Sequence, residues 1–138
     1  MMKRIAVILA SMGLAVSCME PLSTEKFIRG EGPYRFTVDM SDSTAVYSLD
    51  FYTRVDAREC PQSLPVMISW TSPSDSVYSE RGDLPLFGRR SVFSTDVYAP
   101  FMADVSPYES GVWTLGVVPL AQLPEGFRGL GLVVSKKR

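Results

Sequence analysis

The chain contains no histidine and two cysteines, Cys18 and Cys60. Without histidine there is no Ser-His-Asp or Cys-His catalysis and no His-containing metal site. Two cysteines are too few for a Cys₄ zinc site. The acid–base chemistry that remains is a carboxylate pair, which in glycosidases sits roughly 5–9.5 Å apart. Asp50, Asp56, Asp83, Asp96, Asp104 and Glu109 are candidates by type alone. None lies in a distinctive motif, and turn-forming or solvated carboxylates are the plainer reading. Residues 39–43 (DMSDS) come nearest to a calcium loop but lack the EF-hand spacing. Residues 129–134 (GLGLVV) lead into a strand, not into a helix whose first amides could hold phosphate, so they read as a turn with close packing. No catalytic residue, metal or cofactor is assigned, and the expectation is a protein that is not an enzyme. Exposed tyrosines are the other chemistry available, since aromatic rings serve as glycan platforms and interface anchors. Tyr52, Tyr78 and Tyr98 are the candidate ligand or partner contacts.

Cys18 is the cysteine with a context. Lys3 and Arg4 precede an apolar run of about 12 residues, short of the roughly 20 needed to span a bilayer. That is the pattern of a secretory signal peptide. It ends in Leu14-Ala15-Val16-Ser17-Cys18, which resembles the lipobox of bacterial lipoproteins, although Ala15 stands where leucine is commoner. Cys18 is therefore the expected lipidation site and the membrane anchor. At ~0.8 kcal/mol per buried methylene, two or more acyl chains anchor stably where one does not. Cleavage after residue 17 takes Lys3 and Arg4 away and lowers the net charge from −1 to −3. A lipidated Cys18 leaves Cys60 as a lone thiol, read as a small apolar residue. The balanced charge, 14 basic against 15 acidic residues, argues against a nucleic-acid partner.

These residues need elements to hold them. Residues 1–17 form the signal peptide and 18–33, without a clean period, read as a tether. Residues 34–138 form the domain. Tyr34, Phe36, Val38 and Met40 alternate with polar residues, and so do Tyr47, Leu49, Phe51 and Val55. Period-two alternation marks half-buried strands. The two runs, a few residues apart, predict an antiparallel pair. A third strand over 64–71 puts Val66, Ile68 and Trp70 inward, and 72–75 (SPSD) is a strong turn. A short edge strand follows over 76–81, then weaker strands over 91–98 and 100–105. Residues 111–118 are apolar on both faces and predict a central strand. Residues 119–129 are a crossing loop with room for one helical turn at 120–123, and 130–135 are the last strand. Lys136, Lys137 and Arg138 read as a solvated tail. Trp70 and Trp113 are core candidates. Seven to eight short strands with no helical period predict an all-β antiparallel sandwich of jelly-roll type.

The layout is similar to that of the GldH family of gliding-motility lipoproteins of Bacteroidetes. The residues that carry the likeness are Tyr47-x-Leu49-x-Phe51-x-x-Arg54, Asp83-Leu84, Gly111-Val112-Trp113 and Gly129-Leu130-Gly131-Leu132-Val133-Val134. Leu64-Pro65-Val66 and Gly88-Arg89-Arg90 depart from the family pattern. The resemblance implies a β-sandwich lipoprotein serving gliding and associated secretion machinery, with envelope proteins as partners and no catalytic residues. The expected function is thus a membrane-anchored subunit or assembly factor of a cell-envelope complex. No acidic cluster follows Cys18, which favours a periplasm-facing position over surface export. The alternative is a glycan-binding surface lipoprotein, which predicts a groove with Tyr52, Tyr78 or Tyr98 coplanar and exposed; burial of all three would remove it.

Overall fold

The computed structural model describes residues 23–55, 62–86 and 96–137. They form eight strands: β1 (Ser23–Arg29), β2 (Tyr34–Met40), β3 (Val46–Val55), β4 (Ser63–Thr71), β5 (Val77–Pro85), β6 (Asp96–Val105), β7 (Gly111–Pro119) and β8 (Phe127–Lys137). Two four-stranded sheets have the orders β1-β8-β3-β6 and β2-β7-β4-β5. Every pairing is antiparallel. The first strand pairs with the eighth, the second with the seventh, the third with the sixth and the fourth with the fifth. The chain is therefore one long hairpin, turned at residues 72–76 and wrapped so that its rungs alternate between sheets. That is the strand order of a jelly roll.

Binary patterning builds the core. In β2, Tyr34, Phe36, Val38 and Met40 are buried while Arg35, Thr37 and Asp39 are exposed. In the same sheet β4 contributes Leu64, Val66, Ile68 and Trp70, and from the facing sheet β3 contributes Tyr47, Leu49, Phe51 and Val55. Each such aliphatic side chain contributes about 1.5–3 kcal/mol by leaving water. Trp70 and Trp113 belong to this core as expected, and β7 is central, between β2 and β4.

The structure corrects several expectations. Ser23–Arg29, read as tether, is a strand, because its backbone has the exposed edge of β8 to pair with. β2 and β3 do not pair: they lie in different sheets. An arch of five residues carries the chain across, so the two apolar faces meet from opposite sides. Asp42 shapes the arch by accepting bonds from the Thr44 N–H (2.9 Å) and hydroxyl (2.6 Å). β5 runs on to Pro85, and residues 96–105 are a single strand that includes Pro100. Residues 120–123 bend at 120 and 121 and form no helical turn. Lys136 and Lys137 belong to β8 and not to a tail, and Lys136 Nζ lies 3.3 Å from Asp42 Oδ2. Cys18, Asp56, Cys60, Arg89 and Arg90 lie outside the described residues.

Candidate functional site

The three tyrosines singled out from the sequence do not share a surface. Tyr52 projects from the outer face of β3, as its alternation requires, yet it is 1% exposed. Its row explains this. Phe27, Gly131, Tyr52 and Tyr98 are successive cross-strand partners on β1, β8, β3 and β6. Gly131 lacks a side chain, and the Tyr52 ring lies over it: a Cβ there would come within 2.0 Å of the ring. Phe27 then stacks on Tyr52 at 5.9 Å between centroids, and Tyr98 packs from the other side at 5.2 Å. The Tyr52 hydroxyl donates to Glu25 Oε1. Burial, then the bond to Glu25, pushes the Tyr52 hydroxyl well above the usual tyrosine range. In the next row Arg54 pairs with Asp96 at 2.8 Å and lies 4.3 Å above the Phe27 ring. This outer face is a packed patch, with Tyr98 left half-exposed at its edge.

Tyr78 stands on the other sheet, where it faces Trp70 across the β4–β5 ladder. It meets Tyr108, from the β6–β7 loop, with hydroxyls 2.8 Å apart and rings nearly perpendicular. That bond raises the Tyr78 hydroxyl above its ordinary value. Tyr108 in turn sits edge-on to Trp113 at 5.4 Å. Trp113 is held by donating its indole N–H to the Glu109 carbonyl at 2.9 Å, and it meets Trp70 edge-on at 6.0 Å. Trp70 stacks against Phe101 from the facing sheet.

Together Met40, Trp70, Tyr78, Met102, Trp113 and the 105–108 segment line a groove of about 290 Å³ at one end of the sandwich. Ligand pockets commonly run ~300–1,000 Å³, so this one suits a ring or a short stretch of aliphatic chain. Its side chains offer two tyrosine hydroxyls, Ser106 and the buried Trp70 indole N–H, which has no hydrogen-bond partner among the described residues, and no carboxylate. The groove is bordered by Trp70, near the end of β4, and Trp113, near the start of β7, both on inward faces at the same end of the sandwich. Sequence reading placed both tryptophans in the core and missed that they border an opening. Tyr108 is the available signal: a large aromatic directly after a Ser-Pro break.

A second cavity of about 460 Å³ lies at the opposite end, lined by residues 31–33, 118, 119 and 121–123. Glu31 is its one ionisable residue. Neither cavity is lined by two carboxylates. Of the acidic candidates, Asp96 is engaged by Arg54, and Glu109 accepts a bond from Ser74 at 2.8 Å. Asp39 and Asp42 serve their own turns by accepting from Ser41 and Thr44. Among the described residues no group of three His, Cys, Asp or Glu side chains could hold a metal ion. No protein-family model matches the chain, and no curated protein matches it in sequence.

Proposed function

We propose that this chain is a membrane-anchored, non-enzymatic lipoprotein, lipidated at Cys18, whose sandwich serves as a subunit or assembly factor of a cell-envelope complex. The gliding- and secretion-associated setting comes from the resemblance to GldH proteins. One observation carries the proposal beyond the signal sequence: the first strand begins at Ser23, five residues after Cys18. Five residues reach at most about 18 Å when fully extended. An acyl anchor there would hold the sandwich close against the membrane face, as suits a part of a membrane assembly. An aromatic groove and a packed aromatic face support a binding role.

The test is an affinity pull-down of tagged full-length protein from detergent-solubilised native membranes, beside a Cys18→Ala control. The expected result is a stoichiometric envelope protein held by the wild type and weakened in the control, with acyl groups on the N-terminal peptide by mass spectrometry. A partner-free, acylated protein would sink the complex-subunit reading. A glycan module is the second reading, favoured by Tyr78 and Tyr108 meeting at the groove rim. The burial of Tyr52 and the shortage of polar groups in the groove weigh against it. A glycan array with saturable binding that Tyr108→Ala abolishes would reinstate it.

A further inference from the structure

The end of the sandwich that holds the groove is also the end where the chain enters. Ser23 pairs with Ser135, Val46 with Lys137, Tyr47 with Val105 and Met40 with Gly111. The starts of β1, β3 and β7 therefore share one pole with the ends of β2, β6 and β8. The ladder from Trp70 to Tyr78 finishes at that pole too. β1 begins there, and in the sequence it follows directly on the segment 18–22. That segment's reach of about 18 Å exceeds the roughly 14 Å that three strand spacings put between β1 and β6. An anchor on Cys18 thus brings the groove, and not the opposite cavity, to the membrane.

This pole has the surface for it. Val77, Tyr78, Tyr108 and Val112 are all exposed there, at 64%, 51%, 68% and 49%. Tyrosine and tryptophan favour the boundary between headgroups and acyl chains, with an apolar ring on one side and a polar tip on the other. The charge at the pole selects the kind of surface. Among the described residues Asp39, Asp75, Asp104 and Glu109 outweigh Lys137, and Lys136 is already matched by Asp42. Attraction to anionic headgroups is therefore not what would hold it.

We infer that this pole is a membrane-docking face: Tyr78 and Tyr108 seat at the interface of a zwitterionic phospholipid bilayer, and the groove between them and Trp113 opens onto acyl chains. The inference rests on the proposed lipidation of Cys18 for its orientation. It makes the anchor and the face two separate contacts with one bilayer. The lipid holds the protein there, and the groove fixes which way it stands.

The chain has two tryptophans, Trp70 and Trp113, and both line the groove, so intrinsic fluorescence reads this site alone. Full-length protein purified from membranes is reconstituted into phosphatidylcholine vesicles, ordinary or brominated on the acyl chains. The expected result is a clear loss of tryptophan emission in the brominated vesicles. Adding phosphatidylglycerol should not strengthen it. Tyr78→Asp with Tyr108→Asp, both at exposed positions, should restore the emission while the protein still floats with the vesicles. Flotation of acylated protein with equal emission in both lipids would overturn the docking face and leave the anchor standing. An unacylated Cys18 with no flotation would overturn the lipidation reading itself, and the inference with it.

Discussion

A methyl group added at Gly131 would meet the Tyr52 ring at 2.0 Å. Gly131→Ala should therefore lift that ring off its strand, and with it the stacked Phe27 and the bond to Glu25. Overpacking of this kind costs about 1–3 kcal/mol, read as a lower urea midpoint. Tyr52→Ala should also destabilise, but the double variant should be far less destabilised than the sum, because removing the ring removes the clash. The tyrosines make a second residue-scale prediction. Burial, with a smaller contribution from Glu31, pushes the Tyr34 hydroxyl up to about 12, and it donates to the Gly30 carbonyl at 2.6 Å. Above pH 10 the unfolded chain loses these phenolic protons while the folded chain keeps them. Stability is thus fully present below pH 10 and falls from pH 10 to 12, by at most about 1.4 kcal/mol per pH unit for each such tyrosine. Urea titrations at pH 8, 10 and 11 check this, and a flat response would exclude it. At this scale the sequence told which face Tyr52 takes and not that the face is covered. The covering ring, Phe27, comes from a segment without visible period.

That segment shows why one element was illegible. Phe27 and Ile28 are adjacent and both partly buried, Phe27 on the outer tyrosine and Ile28 against the core, so β1 buries both faces at one end and neither at the other. No alternation results. β2, β4 and β7 were legible to within a residue or two because each buries one face along its whole length. The pairing of β2 with β3 was not, since an arch and a hairpin of equal loop length leave the same apolar pattern. β5 is an edge strand, nine residues long and mostly exposed. Long bare edges invite pairing with other chains, and charges along them oppose it. Glu80, Arg81 and Asp83 supply those charges here. Replacing Glu80 and Arg81 with valine should leave the fold intact and shift the protein to dimers and larger species on size-exclusion chromatography. A monomer at high concentration would show that the edge is protected otherwise.

On the scale of the molecule, the wrapped hairpin puts partners far apart in sequence. Ser23 pairs with Ser135 and Tyr34 with Val117. Closing such loops before their contacts form is slow, and all-β domains of this kind fold in milliseconds to seconds. Stopped-flow refolding followed by the two tryptophans should show it, and sub-millisecond recovery would contradict it. The all-β sandwich was readable from turn spacing and alternation. The strand order was not, because periodicity carries no information on which strand meets which. That order has a further consequence for a chain made and threaded from its N-terminus. Of the described strands β8 is the last to emerge, yet it is an inner strand of its sheet, between β1 and β3. The other sheet ends its requirements at Pro119. A nascent chain halted between residues 119 and 127 would own one finished sheet and three strands of the other, with β1 and β3 exposing the edges that β8 was to fill. The eleven-residue β8 is thus the keystone of its sheet, and until it arrives β1 has no neighbour to pair with.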